Sequence, residues 1–369
     1  MAGEKKHKEK KQKEKKAQEL PEHLEKQRKY VICGHDKNYH TSTATAASEY
    51  LPVGVDNAWD FREFAGGLSV VVNRVEDDGM TMEFDLIGVD PSIANALRRI
   101  LIAEVPTVAI EHVFIVNNTS IIQDEVLAHR LGLVPLNVDP SLLEWRGAED
   151  PASEANTLVL RLRVKCVRGA DGGMVNDAVH ASKFEWLPAG SELPDETGCR
   201  FTEGASQEER FVGRPAPAPT PGDTLLAKLR PGQEIELEAH CIKGVGREHA
   251  KWSPVATAWY RLHPEVALLR PVTGGDAEEL AEAVPEVFEL QPDGALGVRD
   301  VRSKEAERSL ERVRRLLEDE RWRGVVEVRK RKDHFIFTIE STGALPAEAL
   351  FRQALAILAD KADKLERRL

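Results

Sequence analysis

Cysteine is nearly missing from this chain. Four occur in 369 residues, at Cys33, Cys166, Cys199 and Cys241. They lie far apart and no CxxC spacing occurs, so no disulfide framework is implied and the sequence suits a reducing compartment. The same scarcity argues against a structural zinc, which wants four ligands, usually with two of them close in sequence. Only Cys33-Gly34-His35 and His240-Cys241 set a thiol beside an imidazole. No metal and no cofactor is expected. Long apolar runs are missing too: none approaches the ~18 residues of a membrane span. The lysines at the start are followed by no apolar stretch, so they do not read as a secretory signal. A basic excess is missing as well. The 51 basic and 62 acidic residues leave a net charge of −11, which runs against a free-standing nucleic-acid binder.

Catalytic constellations are also lacking. Lys243-Gly244-Val245-Gly246-Arg247 looks like the start of a phosphate loop, and a nucleotide-dependent enzyme would use it. A dinucleotide fingerprint needs a third glycine and a following helix. Here His249 stands at the third position and Trp252-Ser253-Pro254 blocks a helix, so the glycines read as turn residues. His129-Arg130 beside Asp124-Glu125 reads as the salt-bridged surface of one short helix. No Ser-His-Asp or Cys-His arrangement can be drawn.

The 41% hydrophobic content supplies one large or two ordinary cores. Residues 1–29 hold 11 Lys/Arg and 6 Asp/Glu, net +5, leaving the rest at −16. They read as a solvated tail, disordered or transiently helical. The sharper alternatives are a nuclear localisation signal or a nucleic-acid-touching arm. Asn57 to Phe61 reads as a segment packed on a domain edge. Leu68–Val75 and the alternating Met80, Met82, Phe84, Leu86 predict a hairpin across Asp78-Gly79. A helix start follows: Asp90 caps and Pro91 fits the first helical position. Ile93, Leu97, Ile100 and Leu101 share one helical face, and Pro106 ends the helix.

A strand over Val108–Val116, a turn at Asn117–Ser120 and a helix over Gln123–Leu131 come next. Leu158–Val167 and Ile235–Cys241 alternate clearly as strands; Phe184–Leu187 and Leu225–Leu229 are weaker. Arg214–Gly222, rich in proline, is an extended loop. Val255–Leu262 is a strand. Ser303 caps a helix carrying Leu310, Val313 and Leu317, with Glu311 and Arg315 as an i,i+4 pair. Val325–Val328 and Phe335–Ile339 read as a hairpin across Arg329–Asp333. In the last helix, from Pro346, the residues Phe351, Leu355, Leu358, Ala362, Leu365 and Leu369 step by 4, 3, 4, 3, 4. That is a coiled-coil seam. Leu350, Ala354 and Ile357 form a second stripe, which suggests two neighbours: the chain's own sheet and a partner helix.

Two strings are more specific than any of these patterns. ANALRRILIAEVPT followed by SIIQDEVLAHRLGLVPL, and RPGQEIELEAHCIKGVGREHAKWSPVATAWYRL, resemble the alpha-like assembly subunits of DNA-dependent RNA polymerases. The wording is most similar to the larger alpha-like subunit common to RNA polymerases I and III. Many relatives in RNA polymerase II and archaea carry a cysteine cluster that this chain lacks. That favours the I/III branch over the alternative, a polymerase II or archaeal homologue.

The resemblance implies an α+β fold: an alpha-like dimerisation domain, residues 55–107 and 252–369, interrupted by a mostly-β domain, 108–251, after an N-terminal extension, 1–54. It implies a non-catalytic subunit that pairs with the smaller alpha-like subunit through four packed helices. The pair then receives the two largest subunits and two small zinc-bearing subunits. No membrane and little or no direct nucleic-acid contact is expected. The place of work would be the nucleus, including the nucleolus, in synthesis of ribosomal RNA precursors, 5S rRNA and tRNA. The interface residues implied are Ile93, Asn95, Leu97, Arg98, Arg99, Ile100 and Leu101 on the first helix. On the last they are Phe351, Leu355, Leu358, Ala362 and Leu365. Of the paired arginines, adjacent on a helix and so ~100° apart, one would face the chain's own acidic groups and the other a large subunit.

Overall fold

The computed structural model describes residues 20–42, 49–170 and 172–369. Most of the lysine-rich tail lies outside them. In chain order the main elements begin with α1 (Glu22–Lys29), β1 (Tyr30–Cys33), β2 (Asn38–Tyr39) and α2 (Phe61–Gly67). Then come β3 (Ser69–Glu76), β4 (Thr81–Ile87), α3 (Pro91–Ala103), β5 (Pro106–Asn118) and α4 (Asp124–Gly132). The middle holds β6 (Leu158–Lys165), β7 (Phe184–Trp186), β8 (Glu234–Val245) and β9 (Val255–Leu268). The last part holds α5 (Gly275–Ala283), α6 (Lys304–Leu316), β10 (Val326–Ser341) and α7 (Ala347–Glu366). The class is α+β.

One sheet has the order β2-β1-β10-β4-β3, with β9 also on β10. A second has the order β7-β6-β8-β5. Compactness divides the chain into two units. The first holds the described residues up to Val71, with Phe84–Ala94 and Tyr260–Phe337; the second holds Val72–Glu83, Asn95–Trp259 and Thr338–Leu369. These boundaries differ from residues 108 and 251: α7 and most of α3 group with the β-rich segment.

In the second unit the alternation of β6 and β8 decides both faces of the sheet. Leu160 sits opposite Ala239 and Leu162 opposite Leu237. These join Leu127 and Leu131 of α4 in one buried cluster. The reverse face is a charge ladder: Arg163–Glu236 at 3.0 Å and Lys165–Glu234 at 2.9 Å. Arg161 turns instead to Glu185 and Glu192. Period-2 side chains make both faces legible at once.

In the first unit the core gathers Val266, Val272, Leu280, Phe288, Leu310, Val313, Trp322 and Val328. Ser303 caps α6 as expected, its Oγ accepting from the Ala306 N–H at 3.1 Å. The Glu311–Arg315 pair does not form; Arg314, three residues on, reaches Glu311 at 3.1 Å.

Two expectations fail. No hairpin crosses Arg329–Asp333, because β10 runs unbroken through it. The residues of that stretch are held within the strand instead. Arg331 lies opposite Tyr30 of β1, Arg329 meets Glu265 at 2.7 Å, and the Lys332 ammonium donates to the backbone carbonyls of Gln27 and Ser42. The segment around Trp59 is not packed on an edge. Trp59 is 72% and Phe61 65% exposed.

Candidate subunit interface

The candidate site rests on α3 and α7. Asp90 precedes α3 and its carboxylate accepts from the Ser92 N–H at 2.8 Å, as its position before Pro91 predicts. The apolar stripe of α3 is closed off. Ala94, Leu97, Ile100 and Leu101 are buried within the chain itself. Leu97, Ile100 and Leu101 are therefore core residues, a correction to their place in the interface set. The periodicity found the stripe but carries no information on which neighbour covers it.

What α3 leaves open is different. Arg99 and Ile102 are exposed, and Ile93, Asn95 and Arg98 are half-buried. Asn95 holds its neighbour one turn on: its Oδ1 accepts from Arg98 Nε at 3.1 Å and from Nη2 at 2.9 Å. The adjacent arginines thus split, one fixed to the helix surface and one free to project.

On α7 the two stripes separate. Ala347, Leu350, Phe351 and Ala354 are buried, so Phe351 belongs to the chain's own packing and the seam opens only beyond it. Leu355 is 43% exposed, Leu358 is half-buried, Ala362 is exposed and Leu365 is 62% exposed. No side chain caps this helix, which starts after Pro346. Lys361 ties α7 to the end of α3: its Nζ lies 2.5 and 2.7 Å from the two oxygens of Glu104. Sequence reasoning missed this pair, since 257 positions separate the two residues and Lys361 lies outside the apolar steps that drew attention to its helix.

The glycine loop has a steric use. A Cβ at Gly246 would stand 2.2 Å from the Ile102 carbonyl oxygen, and one at Gly244 would stand 2.4 Å from the Trp252 indole. Both positions allow close approach of backbone and ring, and neither forms a phosphate cradle. Arg130 of α4 donates to the carbonyls of Leu225 and Leu226, and Asp124 accepts from Asn118 at 2.7 Å. That helix surface is structural.

Two polar clusters centre on buried side chains. Glu238 accepts from Ser191 Oγ at 2.7 Å and from the Glu192 N–H at 2.9 Å. His240 Nε2 stands 3.6 Å from the same carboxylate, beyond a hydrogen bond. Burial pushes the His240 imidazole below its ordinary value, against the opposing pull of Glu238. The serine donates to the carboxylate and not to the imidazole, so the order needed for an activated nucleophile is absent. In the second cluster, His334 Nε2 lies 2.9 Å from Asp85, which also engages Arg302. His263 stacks on His334 with ring centres 4.3 Å apart. Burial, then the charges of His334 and Arg302, push His263 down. No group of three metal-ligating side chains occurs among the described residues.

Comparison with known proteins gives consistent results. The RNA polymerase Rpb3/Rpb11 dimerisation domain matches residues 83–362. A mouse protein named DNA-directed RNA polymerases I and III subunit RPAC1 is 40% identical over 352 residues, covering 92% of this chain and 94% of its own. Its namesake in Saccharomyces cerevisiae is 39% identical, covering 91% and 97%. A Dictyostelium discoideum protein named DNA-directed RNA polymerase II subunit rpb3 is 31% identical, covering 75% and 87%.

Proposed function

This chain belongs to the RNA polymerase Rpb3/Rpb11 dimerisation family, and from that membership we propose that it is an assembly subunit of DNA-directed RNA polymerases I and III. The observation that carries the branch is the ~40% identity, across nine-tenths of both chains, to relatives named for those two enzymes. Similarity to the polymerase II relative is lower and shorter.

Within that role we assign the finer steps as follows. The dimerisation domain, 55–107 and 252–369, pairs with the smaller alpha-like subunit, and 108–251 is its insertion. The open half of α7, from Leu355 through Leu358 and Ala362 to Leu365, lies against partner helices. Arg99 reaches a large subunit after pairing, and two small zinc-bearing subunits join there. The support is the division of exposure: one stripe of α7 is closed by the chain and the other is left wet, which is costly on an isolated protein. The chain performs no bond chemistry of its own, and the polymerising site belongs to the large subunits. It works in the nucleus and nucleolus, supporting synthesis of ribosomal RNA precursors, 5S rRNA and tRNA.

Affinity purification of the tagged full chain tests this reading. The two largest co-purifying proteins should be those of polymerases I and III. Recovery of polymerase II subunits alone would move the chain to the other branch. A fluorescent fusion that complements loss of the chain should concentrate in nucleoli, and its exclusion from them would remove the polymerase I half of the assignment.

A further inference from the structure

The main strand order of the first sheet ends differently at β2 and at β3. One edge is β2, only Asn38 and Tyr39 long. The other is β3, eight residues with none buried. Val70, Val71, Val72 and Val75 are each between 46% and 56% exposed. Successive side chains alternate, so these valines populate both faces of the strand. Edge strands are ordinarily guarded by proline, by charge or by shortness. Here there is no proline, and the one basic side chain, Arg74, is paired with Glu76.

The strand is also held in place at its start. Gly88 has a positive φ of 80°, and a Cβ there would stand 2.2 Å from the Gly67 carbonyl oxygen. The Gly88 N–H donates to the Asp333 carbonyl at 2.7 Å. Just upstream, Asp60 caps α2 by accepting from the Arg62 and Glu63 N–H groups. This sets Trp59 against Phe61 and Phe64, with ring centres 6.1 and 6.0 Å apart. An exposed aromatic cluster therefore precedes an exposed, pre-formed edge.

We propose that the edge of β3, left open among the described residues, receives an extended segment of another subunit of the same enzyme, added as a further strand, with apolar side chains on both of its faces. This rests on the assembly reading. The chemistry of the edge selects the occupant. A row of backbone N–H and C=O groups is satisfied along its length by extended chain and not by a helix, whose own groups are already paired. Valines on both faces call for apolar partners on both. A second copy of this chain fits poorly: any two-fold register that pairs nearly the whole strand sets a valine opposite Arg74.

Hydrogen exchange decides the matter, comparing the full chain alone with the polymerase purified through it. The amides of Ser69–Glu76 that face away from β4 should exchange at least ~10-fold more slowly in the assembled enzyme. A Val70→Lys/Val72→Lys variant, with unchanged melting, should keep the smaller alpha-like subunit and lose at least one further subunit. Unchanged exchange at 69–76 in an enzyme that contains the large subunits overturns the proposal and leaves the assembly reading standing. If the free chain sediments as a dimer that the two lysines break, the occupant is a second copy and the proposal is wrong. A chain that recruits no subunit overturns both readings.

Discussion

Lys361 grips both carboxylate oxygens of Glu104, joining the far half of α7 to the end of α3. The pair is substantially exposed, at 50% and 33% of the two side chains, so its own worth is small. An exposed ion pair contributes ~0–1 kcal/mol. Lys361→Ala should lower the unfolding free energy of the isolated chain by no more than that, read from urea unfolding. A loss of ~3 kcal/mol or more would mean the contact holds the helix in place.

Leu358 and Leu350 separate the two sides of α7. Leu350 is buried and Leu358 half-buried. Leu350→Asp should unfold the chain or greatly weaken it. Leu358→Asp should leave the monomer folded and place a charge in the paired interface, where an uncompensated charge costs ~3–5 kcal/mol. Affinity for the smaller alpha-like subunit should fall at least about a hundredfold, measured by calorimetry. Wild-type affinity for that variant would put the open seam on no partner.

Arg99 projects exposed from α3, while Arg98 is held by Asn95. Arg99→Glu should keep the pair and weaken recruitment of the large subunits on the preformed pair. A two-step pull-down reads this. Equal recruitment by the variant would make Arg99 a solvated charge and nothing more.

Gly246 and Gly66 should respond oppositely to alanine. A Cβ at Gly246 meets the Ile102 carbonyl at 2.2 Å, whereas nothing lies within 4 Å at Gly66. Gly246→Ala should cost at least ~2 kcal/mol by overpacking against backbone. Gly66→Ala, inside α2, should gain ~0.5–1 kcal/mol. Denaturant melts of the two variants give the comparison directly, and a neutral Gly246→Ala would deny the close approach.

His240 should make the chain acid-sensitive. Burial holds its folded pKa below the ordinary imidazole value. At pH above about 6.5 the imidazole is neutral in both states and contributes no pH dependence. As pH falls below that, the unfolded chain takes up the proton and the folded one does not, so stability declines towards the depressed folded value. His240→Asn should flatten this slope between pH 6.5 and the depressed value. An unchanged slope would assign the acid sensitivity elsewhere, with His263 the next group to replace.

Much of the fold was legible because simple periods carry it. The Asp90-Pro91 start of α3, the alternation of β6 and β8 and the turn at Asp78-Gly79 are all local signals; the first two stand where the sequence puts them, and the turn spans Asp77–Gly79. What failed was long-range. Arg329–Asp333 reads as the turn between two apolar runs, yet it is strand, with Arg329 and Lys332 answered by Glu265, Gln27 and Ser42, far away in sequence. The helical stripe of α3 was found, but Leu97 and Leu101 turned out to be buried by the chain itself. Periodicity reports that a face is apolar and is silent on what covers it. The glycine pair carried the opposite lesson: a motif resembling a ligand loop is explained by the Trp252 ring and the Ile102 carbonyl.

The last turns of α7, from Leu355 to Leu365, carry apolar side chains that the described chain leaves partly or fully exposed. If the partner covers them, the firmness of that helix is no fixed property of this polypeptide. It becomes a function of how much partner is present, rising with the logarithm of partner concentration above the dissociation constant. The chain would then act as a gauge of stoichiometry, with its C-terminal turns settled only where both subunits have been made in step.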